Sequence, residues 1–263
     1  MDDKRYLVDV GMSNLPFPMR VASRRTPDGQ FTIADISISA RIMQEFEARW
    51  IDRFIEVLHS HRDHIGTATL KDNIVDYRTR LNASMVKVDF AYPYFMEKLT
   101  PISKEKCLVR YLCKFSAKES SIGEKAKIIF SIKVPVITTY PQSDAVQAGD
   151  LFAQLSIVTV ETEVSKEIYP EDIVEIVDTH ALVPIYSFLT EEDQKHVIHL
   201  AHSQLKTSVV TVDEVKEELA RNSEISWYAV NCVNYGMLHS YSTIISTEKS
   251  MWVPFSGYSS EEI

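Results

Sequence analysis

The sequence predicts an α+β fold, an antiparallel sheet with its helices gathered on one face, and three observations carry that expectation. Alternating stretches and stretches with three- and four-residue apolar spacing follow one another as strand-strand-helix-helix-strand-strand. That order occurs twice along the 263 residues. No Pro-, Gly- or Ser-rich linker separates the two occurrences, so a first half over 1–120 and a second over 121–263 are expected to share one continuous sheet.

The elements follow in order. Residues 17–24 and 29–41 read as strands, and the second slips phase near Asp35 as a bulge would cause. Met43, Phe46, Trp50, Phe54, Ile55 and Leu58 lie on one helical stripe. A more polar helix follows over 67–82, with Leu70, Ile74, Tyr77 and Leu81 on its apolar side. Val86-x-Val88-x-Phe90-x-Tyr92 and Cys107-x-Val109-x-Tyr111-x-Cys113-x-Phe115 alternate as half-buried strands do. In the second half, 128–139 and 151–163 are strands. Pro170 opens a helix, because its fixed φ suits a first turn and its missing N–H costs nothing there. Thr190-Glu-Glu-Asp193 resembles a capping box, and Thr211-Val-Asp-Glu214 a second one that opens a short charged helix. Trp227 to Tyr235 and His239 to Thr247 close the pattern as strands.

Composition narrows function before any motif does. Lys and Arg number 28 against 37 Asp and Glu, a net charge of −9, so a phosphate-tracking surface is not expected and nucleic acid is excluded as a partner. The 7 glycines are too dispersed for a P-loop or a dinucleotide-binding loop. Cys107, Cys113 and Cys232 form no Cys-x-x-Cys pair, and each reads as a sheet or core residue. No apolar run approaches the ~20 residues of a bilayer span, and the N-terminus lacks a signal-peptide core. A cytoplasmic protein without membrane contact is the expectation.

Val10-Gly11-Met12 with Phe17-Pro18, Arg53-Phe54-Ile55-Glu56, Tyr94-Phe95-x-x-Lys98-x-x-Pro101-x-Ser103 and Asp193-Gln194-Lys195-x-Val197 occur in this order along nearly the whole chain. Together they resemble the motifs of the type IB GTP cyclohydrolases. The resemblance implies the tunnelling fold, whose ββααββ units would here occur in tandem, and a homo-oligomer, dimer or tetramer, with purine or pterin sites between subunits. It also implies a ring-opening reaction by a metal-activated water, the ion being held by a Cys, two His and a Glu.

The departures fall on that ligand set. Where the family has Cys-Pro-Cys-Ser-Lys, this chain reads Tyr140-Pro141-Gln142-Ser143-Asp144. Its Ala-His-Asn-Gln-Arg-Ser strand reads Leu151-Phe152-Ala153-Gln154-Leu155-Ser156, and the acidic ligand of Asp-Glu-Lys is Gln194. Glu-Ser-Ile-His-Asn-His reads Gly236-Met237-Leu238-His239-Ser240-Tyr241, so His239 alone keeps its type. The carboxylate expected to anchor guanine falls near Val209. A divalent ion needs about four good ligands, and a bound water with pKa near 7 depends on the ion. No metal and no other cofactor is therefore expected.

Three readings follow. In the first, an enzyme keeps the pocket and acts on another small planar heterocycle or aromatic compound by metal-free acid–base chemistry. His239 would be acid or base, Lys195 and Tyr140 would position the substrate, and Gln194, Gln154, Phe152, Tyr241 and Ser143 would line its site. The second reading is a silent small-molecule-binding protein or scaffold, in which His239 and Lys195 are structural or solvated. The third is a residual GTP cyclohydrolase whose metal site is rebuilt from His196, His199 and His202, spaced three apart on one helix. His59, His61 and His64 are expected to complement the carbonyl end of the first helix. The apolar character of Tyr140, Phe152, Leu155 and Met237 favours a repacked pocket over decay.

Overall fold

The computed structural model describes residues 7–43, 49–121, 126–140, 151–236 and 240–249. Among them are nine strands and five helices. The first half holds β1 (Leu7–Val21), β2 (Gln30–Met43), α1 (Trp50–His61), α2 (Thr67–Arg80), β3 (Ala83–Leu99) and β4 (Lys106–Ser120). The second holds β5 (Lys127–Thr139), β6 (Ala153–Val164), α3 (Pro170–His180), β7 (Val183–Pro184), α4 (Glu191–Ser203), α5 (Ser208–Arg221), β8 (Ile225–Tyr235) and β9 (Thr243–Glu248). One antiparallel sheet runs β1-β2-β3-β4-β5-β6-β8-β9, so β4 and β5 carry it from one half into the other. The second half has three helices where the first has two, since both α4 and α5 follow α3. None of the described helices is long and apolar enough to cross a membrane.

Alternation sets which face is covered. Val86, Val88, Phe90, Tyr92 and Tyr94 of β3 and Val109, Tyr111, Cys113 and Phe115 of β4 point inward. They meet Phe54, Val57 and Leu58 of α1 and Leu70, Ile74 and Tyr77 of α2, with Ile173, Val174 and Val177 of α3 and Val212, Val215 and Leu219 of α5 continuing the layer. Each such side chain contributes roughly 1.5–3 kcal/mol relative to exposure. All three cysteines are free and buried, and burial pushes the Cys232 thiol up to about 11.

Three elements differ from the sequence expectation. β1 starts at Leu7, about ten residues upstream, and accommodates Pro16 and Pro18 because it is the edge strand of the sheet. The bulge lies in β1 and not near Asp35. Met12 pairs Ile38 and Leu15 pairs Ile36, so β1 has one residue extra there, and Asn14 takes a left-handed φ of 57°. β2 itself alternates without a slip: Thr32, Ala34, Ile36 and Ile38 are inside, while Phe31 and Ile33 stand 61% and 58% exposed on the bare face. α5 begins at Ser208, one turn before the Thr211 box, and Thr211 is buried inside the helix. The Thr190–Asp193 box does cap α4, with Asp193 N donating to Thr190 Oγ1 and Thr190 N to Asp193 Oδ2. Met43, the first residue of the expected helical stripe, ends β2 instead, where it pairs with Leu7, and Phe46 lies outside the described residues.

The β3–β4 hairpin is tied to the second half by acidic residues. Tyr94 Oη donates to Glu171 Oε1 (2.6 Å), Lys98 Nζ pairs with Asp178, and Ser103 Oγ donates to Asp193 Oδ2 (2.6 Å). β4 and β5 part beyond the Leu112–Lys133 pair, and β7 takes over beside Val136 and Ile137 of β5.

Candidate functional site

β5 and β6 fix the first residues of the site through their register. Thr138 pairs with Gln154, and two steps further Tyr140 N donates to Phe152 O (2.7 Å). β8 ends beside them, with Leu155 opposite Tyr235 and Gly236 next in the chain. A Cβ on Gly236 would lie 3.5 Å from the Tyr140 ring and 3.7 Å from Gln154 Oε1. The Tyr140 ring, the Gln154 amide and the Gly236 backbone therefore converge, and a long side chain at 236 would fill the space between them. The last turn of α4 closes the rim: His202 Nδ1 lies 2.7 Å from Leu151 O, and Thr139 N donates to Lys206 O (2.8 Å).

Beneath Gln154 runs a buried polar row that sequence reasoning missed. Gln154 Nε2 lies 3.2 Å from Thr138 Oγ1, Thr138 Oγ1 lies 2.7 Å from Ser156 Oγ, and Ser156 Oγ lies 2.8 Å from Asn234 Oδ1. Asn234 Nδ2 reaches Ser208 Oγ at 3.0 Å and Thr243 Oγ1 at 3.1 Å. The signal was available in the phase of the strands. Thr138 shares the inward register of Val134 and Val136, Ser156 that of Val158 and Val160, and Asn234 that of Val230 and Cys232.

The structure places the other expected site residues elsewhere or leaves them outside its description. Gln194 and Lys195 lie at the opposite end of α4, whose first turn is held to the β3–β4 turn by Asp193. Lys195 pairs with Glu191 (2.6 Å) in solvent, and Gln194 Nε2 donates to Leu189 O (3.2 Å). Seven residues of helix, about 10 Å along the axis, separate Lys195 from His202 at the rim. One chain thus gathers Tyr140, Phe152 and Gln154 and does not bring Lys195 or Gln194 to them. Tyr241 is exposed just before β9. Ser143 and His239 lie outside the described residues. Val209, in the first turn of α5, is exposed.

The donor set that the resemblance assigns to an ion does not fit one here. Tyr140 offers a phenol in place of a thiolate, Phe152 has no lone pair, and Gln194 is a neutral amide that is already donating. Among the described residues no three His, Cys, Asp or Glu side chains converge as a ligand group, and His202 is turned to a backbone carbonyl. His61 pairs with Asp76 (2.8 Å), and His59 packs edge-on against Phe17, so these two have local partners.

A second concavity, of about 650 Å³, opens where β4 and β5 part, with Lys98, Glu175, Asp178 and Tyr186 in its lining. Lys98 Nζ lies 5.5 Å from the centre of the Tyr111 ring and 5.7 Å from that of Tyr186. Burial raises the Asp178 carboxyl above its usual range, and the adjacent Lys98 opposes that shift.

Comparison with known proteins places the chain by family, by relatives and by fold. The family model described as type I GTP cyclohydrolase folE2 matches residues 2–244. GTP cyclohydrolase FolE2 of Geobacter sp. (strain M21) is 30% identical over 241 residues, covering 92% of this chain and 89% of that one. The FolE2 protein of Geotalea uraniireducens (strain Rf4) is 30% identical over 240 residues, covering 91% and 87%. Among solved structures, urate oxidase of Bacillus sp. TB-90 superposes with a TM-score of 0.56 at 7% identity, over 93% of this chain and 100% of that one. Uricase of Arthrobacter globiformis gives 0.53 at 9% identity, over 92% and 93%. At these identities the likeness carries the fold alone, and the fold is the tunnelling fold.

Proposed function

From the premise that the chain belongs to the type I GTP cyclohydrolase FolE2 family, we propose that it binds a purine- or pterin-like planar compound between Tyr140, Gln154 and Gly236 and transforms it without metal-assisted ring opening. The observation that carries this reading is the donor set: phenol, phenyl and carboxamide stand where the family resemblance places thiolate, imidazole and carboxylate. Tyr140 supplies a ring face and Gln154 a hydrogen-bonding edge, which is how a flat heterocycle is held. His239 is the group assigned to move a proton at a ring nitrogen or carbonyl oxygen, since imidazole can be acid or base near neutral pH. Lys195 and Gln194 enter this reading across a boundary between copies of the chain, in the expected dimer or tetramer.

Family membership favours a second reading, retained GTP cyclohydrolase activity on a rebuilt metal site that draws on the His196–His199–His202 helix. Metal analysis of the purified protein, a GTP turnover assay and a thermal-shift screen separate the two. The first reading expects no stoichiometric zinc or manganese and no fluorescent pterin from GTP. It also expects stabilisation by purine or pterin ligands, and loss of turnover of the stabilising compound in His239→Ala. One tightly held ion per subunit together with pterin formation would establish the second reading. Stabilisation by none of the compounds would leave the silent scaffold.

A further inference from the structure

We propose that Thr138, Ser156 and Asn234 are positioning residues that lock the Gln154 side-chain amide in one orientation, so that its carbonyl oxygen is displayed beside Tyr140 and selects ligands carrying a ring N–H donor. This rests on the purine-like reading for the identity of the ligand, though not for the orientation of the amide.

The direction of the row follows from counting protons. A hydroxyl has one proton to donate and two lone pairs to accept with. The structure sets the far end by the orientation of Asn234, whose Nδ2 faces Ser208 and Thr243 as donor and whose Oδ1 accepts from Ser156 and from the Cys232 thiol at 3.5 Å. The proton of Ser156 is therefore committed to Asn234, and the 2.7 Å contact with Thr138 has Thr138 as donor. With its own proton committed, Thr138 Oγ1 can only accept, and Gln154 Nε2 is the donor that faces it. The amide nitrogen is thus turned inward, and Oε1 is the end nearest Gly236 and the Tyr140 ring.

The row is buried along its whole length, with Thr138 and Ser156 at 0% exposure, Asn234 at 3% and Gln154 at 4%. In the interior each link is expensive to leave unmade, so reversing the amide means reversing the whole row or orphaning one of its members. A carbonyl held in this way accepts from a lactam N–H and does not pair with a ring nitrogen that is itself an acceptor. The row thereby sets a preference for the oxo, N–H form of a heterocycle edge.

The test uses the full chain and two independent readouts. The first is the Gln154 side-chain amide in ¹⁵N-labelled protein, assigned by its disappearance in Gln154→Ala, with one proton protected from exchange. The second is the ratio of affinities, measured by titration calorimetry, for GTP and for its N1-methyl derivative, which lacks the ring N–H. Thr138→Val removes the hydroxyl and is expected to abolish the protection and lower the ratio about tenfold. Thr138→Ser is expected to restore both, as a role in simple packing would not. Ser156→Ala reaches the same end by freeing the Thr138 proton to donate to Gln154 Oε1, and it serves if the valine variant does not fold. Unchanged protection in the folded Thr138→Val and Ser156→Ala variants, or a wild-type protein that binds both nucleotides equally, overturns the proposal. A wild-type protein that binds neither nucleotide overturns the purine reading, and amide protection alone then decides the orientation.

Discussion

Asp193 carries more hydrogen bonds than its place in a polar helix turn suggests. Its carboxylate accepts from the Ile102 and Ser103 amides (2.8 and 3.0 Å), from Ser103 Oγ, and from Thr190 N and Oγ1. Burial alone would raise its pKa, but the bonds from Ser103 and Thr190 outweigh that and hold the carboxyl far below the usual carboxylate range. A depressed folded-state pKa contributes stability that is complete above the unfolded value of about 3.9 and is lost as pH falls from there towards the folded value. Asp193→Asn is therefore expected to be less stable than wild type at pH 7, with the gap narrowing at pH 3 as the unfolded carboxyl takes up its proton, as urea unfolding at both pH values would report. An equal gap at both would show that the ionised carboxylate is not what matters. The sequence showed Asp193 only as a cap, because its second task depends on a turn 90 residues away. Tyr140 and Gln154 were legible through the family resemblance, whereas the inward phase of Thr138, Ser156 and Asn234 was readable but not the partners that satisfy them, which come from neighbouring strands and α5.

The start of α2 shows how an element can depend on a residue remote in sequence. Glu167, in the β6–α3 connection, accepts from Thr67 N (2.7 Å), Thr67 Oγ1 (2.9 Å) and Ala68 N (3.0 Å), placing a carboxylate on the positive end of the helix. Gly66 makes room for it, since a Cβ there would lie 2.6 Å from Glu167 Oε1. Glu167→Ala is expected to cost about 1–2 kcal/mol, the range of a lost N-cap with a charge at the helix end. Gly66→Ala should lower stability in the Glu167 background, and by less once Glu167 is already alanine. A double-mutant cycle in chemical denaturation measures that coupling, and strict additivity would contradict the arrangement. Helices and capping boxes were readable because their signals are local. Strand phase was less so: Phe31 and Ile33 look like core residues, yet Thr32 and Ala34 take the inside, because the face without helices is itself partly apolar.

At the scale of the whole molecule, the motifs that match the family are largely those that fold it. Tyr94, Lys98 and Ser103 bind Glu171, Asp178 and Asp193 across the two halves, and Phe54 lies in the core. Of the positions that fail to match, Tyr140 and Phe152 stand side by side at the ends of β5 and β6, while Gln194 lies at the far end of α4. Phe95, Leu108, Leu112, Leu155 and Ile244 remain exposed on the face away from the helices, and β1 and β9 end the sheet with one side of each unpaired among the described residues. An open sheet with apolar surface and free edges favours pairing with further copies of itself. Light scattering is expected to give the mass of a dimer or tetramer. Because association stabilises the folded state by mass action, the Tm should rise as protein concentration is raised. A monomeric mass with a concentration-independent Tm would sink the assembly, and with it any part for Lys195 and Gln194 at the Tyr140 site, since within one chain α4 holds them at its far end.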